Sequence, residues 1–252
     1  MSESTGPIGR DGGTTAPVLR VEGLHNVRDL GGRPRKGGGT TPTGVFVRSE
    51  RPDEVRGAGW DALRAHGVRT VVDLRQPEER SRHRAAVPEG IADLHVDHDG
   101  LEHTAFWADY WDNHLVGTPL YYLPHLRALP ERTVAVLSAV ATAPEGAVLF
   151  HCAGGRDRTG LIAAILLTIA DVEEDAIVAD YLETIANAEA LAAGQGRPSG
   201  EPAVAALLES RGTTSEEAFR GFLDGLDVEG LLARLPTDQA AALRTWRGTL
   251  AD

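Results

Sequence analysis

The sequence predicts an α/β fold with a mainly parallel central sheet, flanked by helices and followed by extra C-terminal helices. Three observations predict this fold class. Apolar, β-prone runs alternate with helical segments between residues 45 and 152. The run VRTVVDLR (68–75) is nearly continuous in apolar and β-branched residues, which is typical of a parallel strand buried on both faces. After residue 152 the patterns are helical.

Each predicted element follows from local sequence. Strands are predicted for five short apolar runs: VLRVEGL (18–24), VFVRS (45–49), VRTVVDLR (68–75), IADLHV (91–96) and GAVLFHC (146–152). The segment GGRPRKGGGTTPTG (31–44) is dense in Gly, Pro and Thr and predicts a turn or hairpin tip. Helices are predicted over 61–66, 77–86, 102–115, 121–129, 131–141, 159–170, 173–193, 201–210, 215–226 and 237–250.

The length of the chain fits one domain. Its 252 residues, 42% of them hydrophobic, suffice for a single sizeable core, so we expect one domain over residues 18–252. Residues 1–17 are rich in Gly, Ser and Thr and predict a disordered tail. The stretch GQGRPSG (194–200) predicts a flexible break among the C-terminal helices.

Composition argues against several classes of partner. The formal net charge of −12 argues against nucleic acid and against an anionic membrane surface. One cysteine cannot form an internal disulfide, and the longest apolar run, residues 161–170, is too short to span a bilayer. We therefore expect a cytoplasmic protein without stable membrane association. A small anionic substrate remains compatible with this charge, because residues 151–160 are locally positive.

The only cysteine lies in the stretch HCAGGRDRTG (151–160), where a predicted strand ends and a predicted helix begins. Gly154 and Gly155 permit positive φ and leave room for a ligand beside the backbone. A tight turn at a helix N-terminus points several N–H groups inward and forms an anion site. The same field favours the thiolate form of Cys152. Arg158 adds a planar fork that matches two phosphate oxygens.

The spacing His-Cys-(five residues)-Arg-Thr-Gly resembles the loop of the cysteine-dependent protein tyrosine phosphatase superfamily, and most closely its bacterial atypical branch, which reads HCxxGKDRTG. Further stretches are similar to that branch and occur in the same order: HNVRDLGG (25–32), VFVRSE (45–50), VVDLRQPEE (71–79) and ADYLET (179–184). The resemblance covers residues 18–187. One departure is Arg156, where the branch has Lys.

The resemblance implies a phosphatase that forms a phosphocysteine and needs neither metal nor cofactor. It implies that Cys152 attacks phosphorus, that Arg158 holds the phosphoryl oxygens, and that Thr159 helps the thiolate to leave. His151 is expected to orient the loop. The residues expected to bind the substrate are His151, Ala153, Gly154, Gly155, Arg156 and Gly160. Because related bacterial enzymes have helical lids there, residues 187–226 are a candidate lid.

A general acid must protonate the leaving oxygen, and several aspartates compete for this role. Asp157 is favoured because the bacterial branch has an aspartate at this loop position, although it could instead cap the helix or pair with its flanking arginines. Asp73 is the rival, with binding of Arg75 or of a turn as its structural alternative. Asp97 and Asp99 come third. All follow predicted parallel strands or start the next helix, so their loops can converge on one site.

Two other patterns have functional and structural interpretations. The segment LHVDHDGLEH (94–103) contains side chains that bind metals, but not at a recognised ligand spacing, so a metal site is disfavoured. The aromatic residues Trp107, Tyr110 and Trp111 share a helix face, which indicates core packing or, alternatively, a wall of the substrate pocket. Asn26, Arg28 and Asp29 favour a structural polar cluster beneath the loop.

The sequence therefore predicts a phosphomonoester hydrolase that acts on a phosphoprotein or, alternatively, on a phosphorylated metabolite such as a phosphosugar, nucleotide or inositol phosphate. A phosphate-binding module without turnover is a weaker alternative, because both Cys152 and Arg158 are present. Arsenate reduction is disfavoured because it normally needs further thiols. A sulfur-transfer loop would lack the Arg-Thr-Gly ending.

Overall fold

The computed structural model describes residues 19–82 and 86–250, so the predicted tail 1–17 lies outside the described residues. One sheet contains five strands in the order β1–β2–β5–β3–β4. Their bounds are Arg28–Asp29 (β1), Phe46–Ser49 (β2), Val68–Asp73 (β3), Ala92–His95 (β4) and Ala147–His151 (β5). Strand β1 is antiparallel to β2, and the other neighbouring strands are parallel. The predicted α/β fold class is confirmed.

Helices cover both faces of this sheet and form the C-terminal part of the chain. They are Gly57–Ala65 (α1), Pro77–Arg82 (α2), Thr104–Asp112 (α3), Tyr122–Ala128 (α4), Pro130–Thr142 (α5), Asp157–Ile169 (α6), Glu174–Ala186 (α7), Ala188–Gly194 (α8), Glu201–Ser210 (α9), Ser215–Asp224 (α10), Val228–Leu232 (α11) and Thr237–Arg244 (α12). Short 3-10 helices span Pro52–Glu54 and Pro119–Tyr121. In the described ranges, no helix combines the length and apolarity needed to cross a bilayer.

The central strand β5 is apolar at successive positions because both of its faces are buried. Successive side chains of a strand point to opposite faces of the sheet. Val148 and Phe150 belong to the larger apolar cluster, which also contains most of α6. Leu149 belongs to a second cluster on the other face, with Trp60 of α1. A continuous apolar run is therefore what this position in the sheet requires.

The parallel strands bring three chain segments to one edge of the sheet. The end of β5 leads into Cys152, the end of β3 into Leu74 and Arg75, and the end of β4 into residues 96–100. Backbone hydrogen bonds join these exits, because the Leu74 amide donates to the His151 carbonyl and the Val96 amide donates to the Asp73 carbonyl. The cysteine loop and several acidic residues predicted as candidates therefore lie at the carboxyl edge, where ligands of α/β sheets bind.

The structure corrects the prediction at the N-terminal end of the described chain. In place of a strand over 18–24, residues 19–24 form a turn in which the Leu24 amide donates to the Val21 carbonyl. Val21 and Leu24 are buried against the α1 face instead of pairing with a sheet edge. The strand that pairs antiparallel with β2 is Arg28–Asp29, which lies inside the HNVRDLGG motif.

Two boundaries and one additional helix in the C-terminal part also differ from the prediction. The helix predicted over 173–193 breaks at Asn187, whose side chain donates to Asn26 Oδ1 at 3.3 Å. Helix α11 was not predicted. The last helix ends at Arg244 because Trp246 and Arg247 adopt positive φ, and this turn lets Arg247 donate to carbonyls of the α5–β5 loop.

Candidate active site

The loop from Cys152 to Arg156 is held to the rest of the molecule by its carbonyl groups. The Ala153 carbonyl accepts from the Arg51 amide at 3.1 Å. Asn26 Nδ2 donates to the Gly154 carbonyl at 3.1 Å, and Arg48 Nη2 donates to the Gly155 carbonyl at 2.6 Å. Each of these contacts uses a backbone carbonyl of the loop, so the backbone N–H groups of the loop stay available.

The amides of Ala153, Gly154 and Gly155 meet no acceptor within the parts of the chain that the structure describes. Gly155 is buried, and Ala153 and Gly154 are half-buried. Because buried backbone donors in native proteins are almost always paired, three adjacent amides without a protein acceptor leave a place for a ligand that accepts hydrogen bonds. The first turn of α6 follows directly and adds its unpaired amides and partial positive charge. This part of the chain can bind a tetrahedral oxyanion.

Glycine is required at one of the two loop positions for a steric reason. Gly155 has φ +67°, and a Cβ there would lie 2.5 Å from the carbonyl oxygen of Ser49. Gly154 does not adopt positive φ, and a Cβ there would meet only Leu191, at 3.9 Å. Positive φ is therefore used at Gly155 and not at Gly154. The missing side chain at Gly154 instead leaves open space beside the loop.

Cys152 is 3% exposed and unpaired, and its neighbours fix the shape of the loop. The ring of His151 is buried, and its Nδ1 lies 3.0 Å from the Cys152 carbonyl oxygen. Burial lowers the pKa of His151, so the neutral imidazole is favoured. The Thr159 hydroxyl is also buried and has no hydrogen-bond partner among the described residues, so it is free to donate to a thiolate or ligand.

Arg158 is bound by two carboxylates. Its Nη1 donates to Glu79 at 2.7 Å and to Asp99 at 2.8 Å, and its Nη2 donates to Glu79 at 3.1 Å. Burial alone would lower the pKa of Arg158, but the charges of Asp99, Cys152 and Glu79 raise it. A planar fork that binds carboxylate in this way is also suited to the oxygens of a phosphoryl group.

Asp99 and Asp73 have opposite electrostatic environments. Burial raises the pKa of Asp99 to about 6, with further contributions from Asp97 and Glu79, while Arg158 opposes the shift. Burial would also raise the pKa of Asp73, but hydrogen bonds from Arg75 to both carboxylate oxygens lower it. Of these two carboxyl groups, Asp99 is therefore the one that can hold a proton near neutral pH.

Asp157 and Arg156 are also engaged. The Tyr122 hydroxyl donates to Asp157 Oδ1 at 2.8 Å, so Oδ2 remains available. Arg156 Nη1 forms a short ion pair with Glu201 at the start of α9. Nε and Nη2 of Arg156 are buried and have no partner in the described ranges. Arg156 therefore connects the loop to a helix that follows it by more than forty residues in sequence.

Two pockets open on either side of Asp157, which lines both. The first, of about 240 Å³, is lined by Arg158, Asp99 and Glu79 together with Trp107, Trp111 and Tyr121. The second, of about 220 Å³, is lined by Gly154, Arg156 and residues of the α8–α9 region. Of the predicted loop residues, Gly154, Arg156, Asp157 and Arg158 line these pockets, whereas the two linings do not include His151, Cys152, Ala153, Gly155 or Thr159. Gly160 is buried one helical turn behind them, where its amide donates to the Arg156 carbonyl.

The aromatic residues of α3 contribute to both the core and the first pocket. Trp107 is 4% exposed and belongs to the larger core cluster, whereas Trp111 is 52% exposed at the pocket. Their ring centroids are 6.3 Å apart, and Tyr121 lies 5.8 Å from Trp107. The pocket beside Arg158 therefore has an aromatic wall.

The side chains of the segment 94–103 have separate partners. His95 Nε2 lies 2.7 Å from the Arg75 carbonyl, and His98 Nε2 lies 3.0 Å from Thr133. Asp97 accepts from the Asp99 amide at 3.0 Å, and His103 is half-exposed. Among the described residues, no three His, Cys, Asp or Glu side chains converge as a metal-ligand set.

Beneath the loop lies a polar cluster that the sequence analysis only partly identified. Asn26 and Arg28 belong to it, as predicted from the HNVRDLGG motif, whereas the carboxylate of Asp29 accepts from the Gly31 and Gly44 amides instead. Asp180 and Arg48 were not identified, although each lies in a stretch with family resemblance, ADYLET and VFVRSE. Glu79, the last residue of VVDLRQPEE, and Glu201 were also missed, because acidic partners of loop arginines have no local sequence signature.

Comparison with known proteins agrees with this geometry. A profile of the tyrosine phosphatase family matches residues 19–230. The chain belongs to this family. The phosphatase is 30% identical over 213 residues to a Cupriavidus necator protein assigned as a tyrosine-protein phosphatase, covering 80% of this chain and 77% of that one. It is also 30% identical over 194 residues to the triple specificity protein phosphatase PtpB of Mycobacterium tuberculosis, covering 66% and 69%.

The phosphatase also matches solved structures of P. aeruginosa TpbA, one of them in complex with phosphotyrosine. The matches have TM-scores of 0.32 and 0.38 at 20% and 18% identity, and each covers 74% of this chain and 83% of TpbA. At these TM-scores the matches support no conclusion about this chain. The family assignment instead identifies this chain as a tyrosine-phosphatase-like enzyme.

Proposed function

We propose that this phosphatase hydrolyses aryl phosphomonoesters, with phosphotyrosine as the substrate class, through a phosphocysteine at Cys152. The observation that carries the proposal is the loop itself. Its carbonyls are bound by surrounding residues while its amides stay free, next to the guanidinium of Arg158. Preorganised donors of this kind stabilise the charge that develops on the equatorial oxygens of a transferring phosphoryl group.

The reaction proceeds in two balanced steps. The Cys152 thiolate forms an S–P bond while the P–O bond to the leaving group breaks, and a protonated acid gives its proton to the leaving oxygen. Water then attacks phosphorus and gives a proton to the same carboxylate, and the S–P bond breaks. The unpartnered Thr159 hydroxyl supports a role as donor to the departing thiolate.

Asp99 is the acid that we propose for the first step, with Asp157 as the alternative. In the free protein two carboxylates, Glu79 and Asp99, face Arg158. A phosphate dianion that approaches Arg158 adds negative charge there and favours a proton on Asp99, whose pKa is already raised to about 6. Protonation weakens the contact of Asp99 with Arg158 Nη1, so that the phosphate then competes with Glu79 alone for the guanidinium. We propose a structural role for Asp73, because Arg75 occupies both of its oxygens.

The aromatic wall favours an aromatic leaving group over a sugar or inositol. Trp107, Trp111 and Tyr121 line the pocket that also contains the Arg158 side chain. Aromatic rings pack against one another in offset or edge-to-face arrangements that contribute beyond their buried area. A phenyl ring attached to a phosphate at Arg158 gains such contacts, whereas a polyol would leave its hydroxyl groups against indole faces.

A lid is proposed for a shorter segment than 187–226. Phe219 and Phe222 of α10 are buried, and Phe219 stacks on Tyr181 with ring centroids 4.1 Å apart. This packing fixes α10 to the core. Helix α9 has one fully buried side chain, Leu208, and reaches the loop through the Glu201–Arg156 pair. Residues 195–210 are therefore the part that can open at low cost.

The nucleophile is tested by Cys152→Ser. We expect it to abolish turnover of p-nitrophenyl phosphate while the variant still binds vanadate, because the amides and Arg158 remain. Residual activity above a trace would contradict the proposal.

A turnover screen of phosphotyrosine peptides, phosphoserine peptides, soluble metabolite phosphates and phosphoinositides then tests the substrate class. Preference for a metabolite phosphate would replace phosphotyrosine by the alternative substrate.

The acid is tested by comparing two leaving groups. An alkyl phosphate releases a basic oxygen that must be protonated as it leaves. The leaving oxygen of p-nitrophenyl phosphate is much less basic and depends far less on an acid. Asp99→Asn is expected to lose about 100-fold in kcat on the alkyl ester and far less on the aryl ester. Asp157→Asn is the matched comparison. If only that variant shows the unequal loss, the acid is Asp157.

A further inference from the structure

Arg48 is a fully buried arginine beneath the cysteine loop, and no step described above uses it. It lies on β2 with 0% exposure. Its Nη2 donates to the Gly155 carbonyl at 2.6 Å and to Thr184 Oγ1 at 3.2 Å, and its Nη1 forms a short ion pair with Asp180. Its Nε has no partner among the described residues. The guanidinium therefore joins the loop to α7.

The charge of Arg48 is only partly compensated by its carboxylate. Asp180 also pairs with Arg28 at 2.8 Å and with Arg33 at 3.1 Å, so three guanidinium groups share one buried carboxylate. Glu183 contacts Arg28 and Arg33 but is 44% exposed. Burial, together with the like charge of Arg28, lowers the pKa of Arg48 to about 10. A negative group at the loop would stabilise this surplus positive charge.

The group that meets this requirement is the Cys152 thiolate. Arg48 pairs in register with Phe150, two residues before Cys152, and its guanidinium binds the Gly155 carbonyl, three residues after Cys152. Arg158 lies on the other side of the loop, in the first turn of α6. The two arginines thus approach from different elements, and the Gly155 carbonyl held by Arg48 belongs to the loop segment whose amides are free.

We propose that Arg48 is a positioning residue of the phosphatase reaction, which fixes the Gly155 carbonyl and supplies a buried positive charge that keeps Cys152 in its reactive thiolate form. This inference rests on the proposed nucleophilic role of Cys152. It predicts that loss of the charge and loss of the hydrogen bond have separate consequences, because thiolate stabilisation needs the charge and loop geometry needs the donors.

The test compares Arg48→Gln, which removes the charge, with Arg48→Lys, which keeps the charge but lacks the planar fork. Arg33→Gln is the matched control, since Arg33 pairs with Asp180 and does not contact the loop. In the full chain, the pH dependence of Cys152 alkylation by iodoacetamide reports the thiolate directly, and kcat on p-nitrophenyl phosphate reports the geometry. The other titratable groups that face the loop are unchanged in all variants: Arg158, Asp157, Asp99, His151, Asp73 and Tyr121.

For Arg48→Gln we expect the alkylation midpoint to rise by about one pH unit, the lower range for loss of a nearby opposite charge. For Arg48→Lys we expect a midpoint close to wild type with kcat reduced about 10-fold or more, in line with the loss of a positioning hydrogen bond. Arg33→Gln should change neither. A wild-type midpoint in Arg48→Gln, or an equal shift in Arg33→Gln, would overturn the proposal.

If Arg48→Gln does not fold, Arg48→Lys still tests the proposal. A wild-type kcat in Arg48→Lys would contradict the positioning role. Failure of the underlying function is recognised separately. In that case Cys152→Ser keeps its activity, whereas the alkylation midpoints of the Arg48 variants are still measured on the intact thiol.

Discussion

Individual side chains in this site differ in how many groups bind them before any substrate arrives. Both terminal nitrogens of Arg158 are bound by Glu79, and Asp99 adds a third contact. Arg156 has one carboxylate, Glu201, and two buried nitrogens without partners in the described chain. A phosphate must compete with carboxylates for Arg158, whereas Arg156 has two nitrogens that can still donate. The two loop arginines are therefore not equivalent.

Arg158→Lys should reduce kcat by at least about 100-fold, the loss typical of removing one transition-state donor. Lysine keeps the charge but cannot make the two-armed contact that Arg158 makes with Glu79. Steady-state kinetics on p-nitrophenyl phosphate measure the effect. Arg220→Lys, on the surface of α10, is the control and should retain wild-type kcat. A mild loss in Arg158→Lys would mean that another group binds the phosphoryl oxygens.

The pH profile should report Asp99. Its carboxyl must be protonated to act as an acid, and its pKa is raised to about 6, so the competent fraction falls as the pH rises above that value. With an alkyl phosphate, kcat/KM should fall about tenfold per pH unit well above pH 6. In Asp99→Asn this decline should disappear while the overall rate is lower. A decline that persists unchanged in the variant would assign it to another group.

At the level of secondary structure, the helices around the loop are attached to very different extents. Helix α6 is buried along nearly its whole length and belongs to the larger core cluster. Helix α9 shows Leu208 as its only buried residue and has its ion pair to the loop at the first turn. Elements with few buried contacts open at low free-energy cost. Motion that admits a substrate is therefore expected at α9.

Glu201→Gln should weaken this attachment, because the neutral amide cannot form the ion pair with Arg156. We expect KM for a phosphotyrosine peptide to fall several-fold with little change in kcat, since opening then costs less. Glu209→Gln, on the exposed face of the same helix, is the matched control and should not alter KM. An unchanged KM in Glu201→Gln would argue that α9 does not restrict access to the site.

At the scale of the whole molecule, the C-terminal helices pack on the same sheet as the catalytic loop. Trp246 is fully buried, and its ring meets Phe46 of β2 edge-on with centroids 4.7 Å apart. Its Nε1 donates to the Pro42 carbonyl at 3.0 Å. Leu243 and Leu232 belong to the same apolar cluster as Phe150 of the central strand. We propose that residues 18–252 unfold as one unit.

Trp246→Ala should lower the free energy of unfolding by about 3–5 kcal/mol, the usual range for removing a buried aromatic side chain. Urea unfolding followed by far-UV circular dichroism and by the fluorescence of the remaining tryptophans should give coincident transitions. Trp111→Ala, at a side chain that is 52% exposed, should change stability by less than about 0.5 kcal/mol. Two separate transitions in the wild-type chain would contradict the single unit.

The sequence by itself determined the features that depend on local pattern. The run VRTVVDLR and the run before Cys152 specify buried strands, because residues on both faces must be apolar. The spacing from His151 to Gly160 specifies an anion-binding turn, because the glycines, the thiol and the arginine all lie within ten consecutive positions. The strand predictions are confirmed because the apolar pattern that specifies a buried strand lies within a few consecutive residues, whereas anion binding by the turn stays a prediction.

Only the tertiary structure decided which distant groups surround that turn. Asp73 and Asp99 both follow parallel strands, but the contact with Arg75 holds Asp73 ionised, whereas burial beside Arg158 favours a proton on Asp99. Arg48 and Asp180 are 132 residues apart, and nothing in either segment specifies their contact. The charge state of a buried group depends on desolvation and on charges within a few ångströms. Those distances exist only after β2, β4 and α7 have packed around the loop.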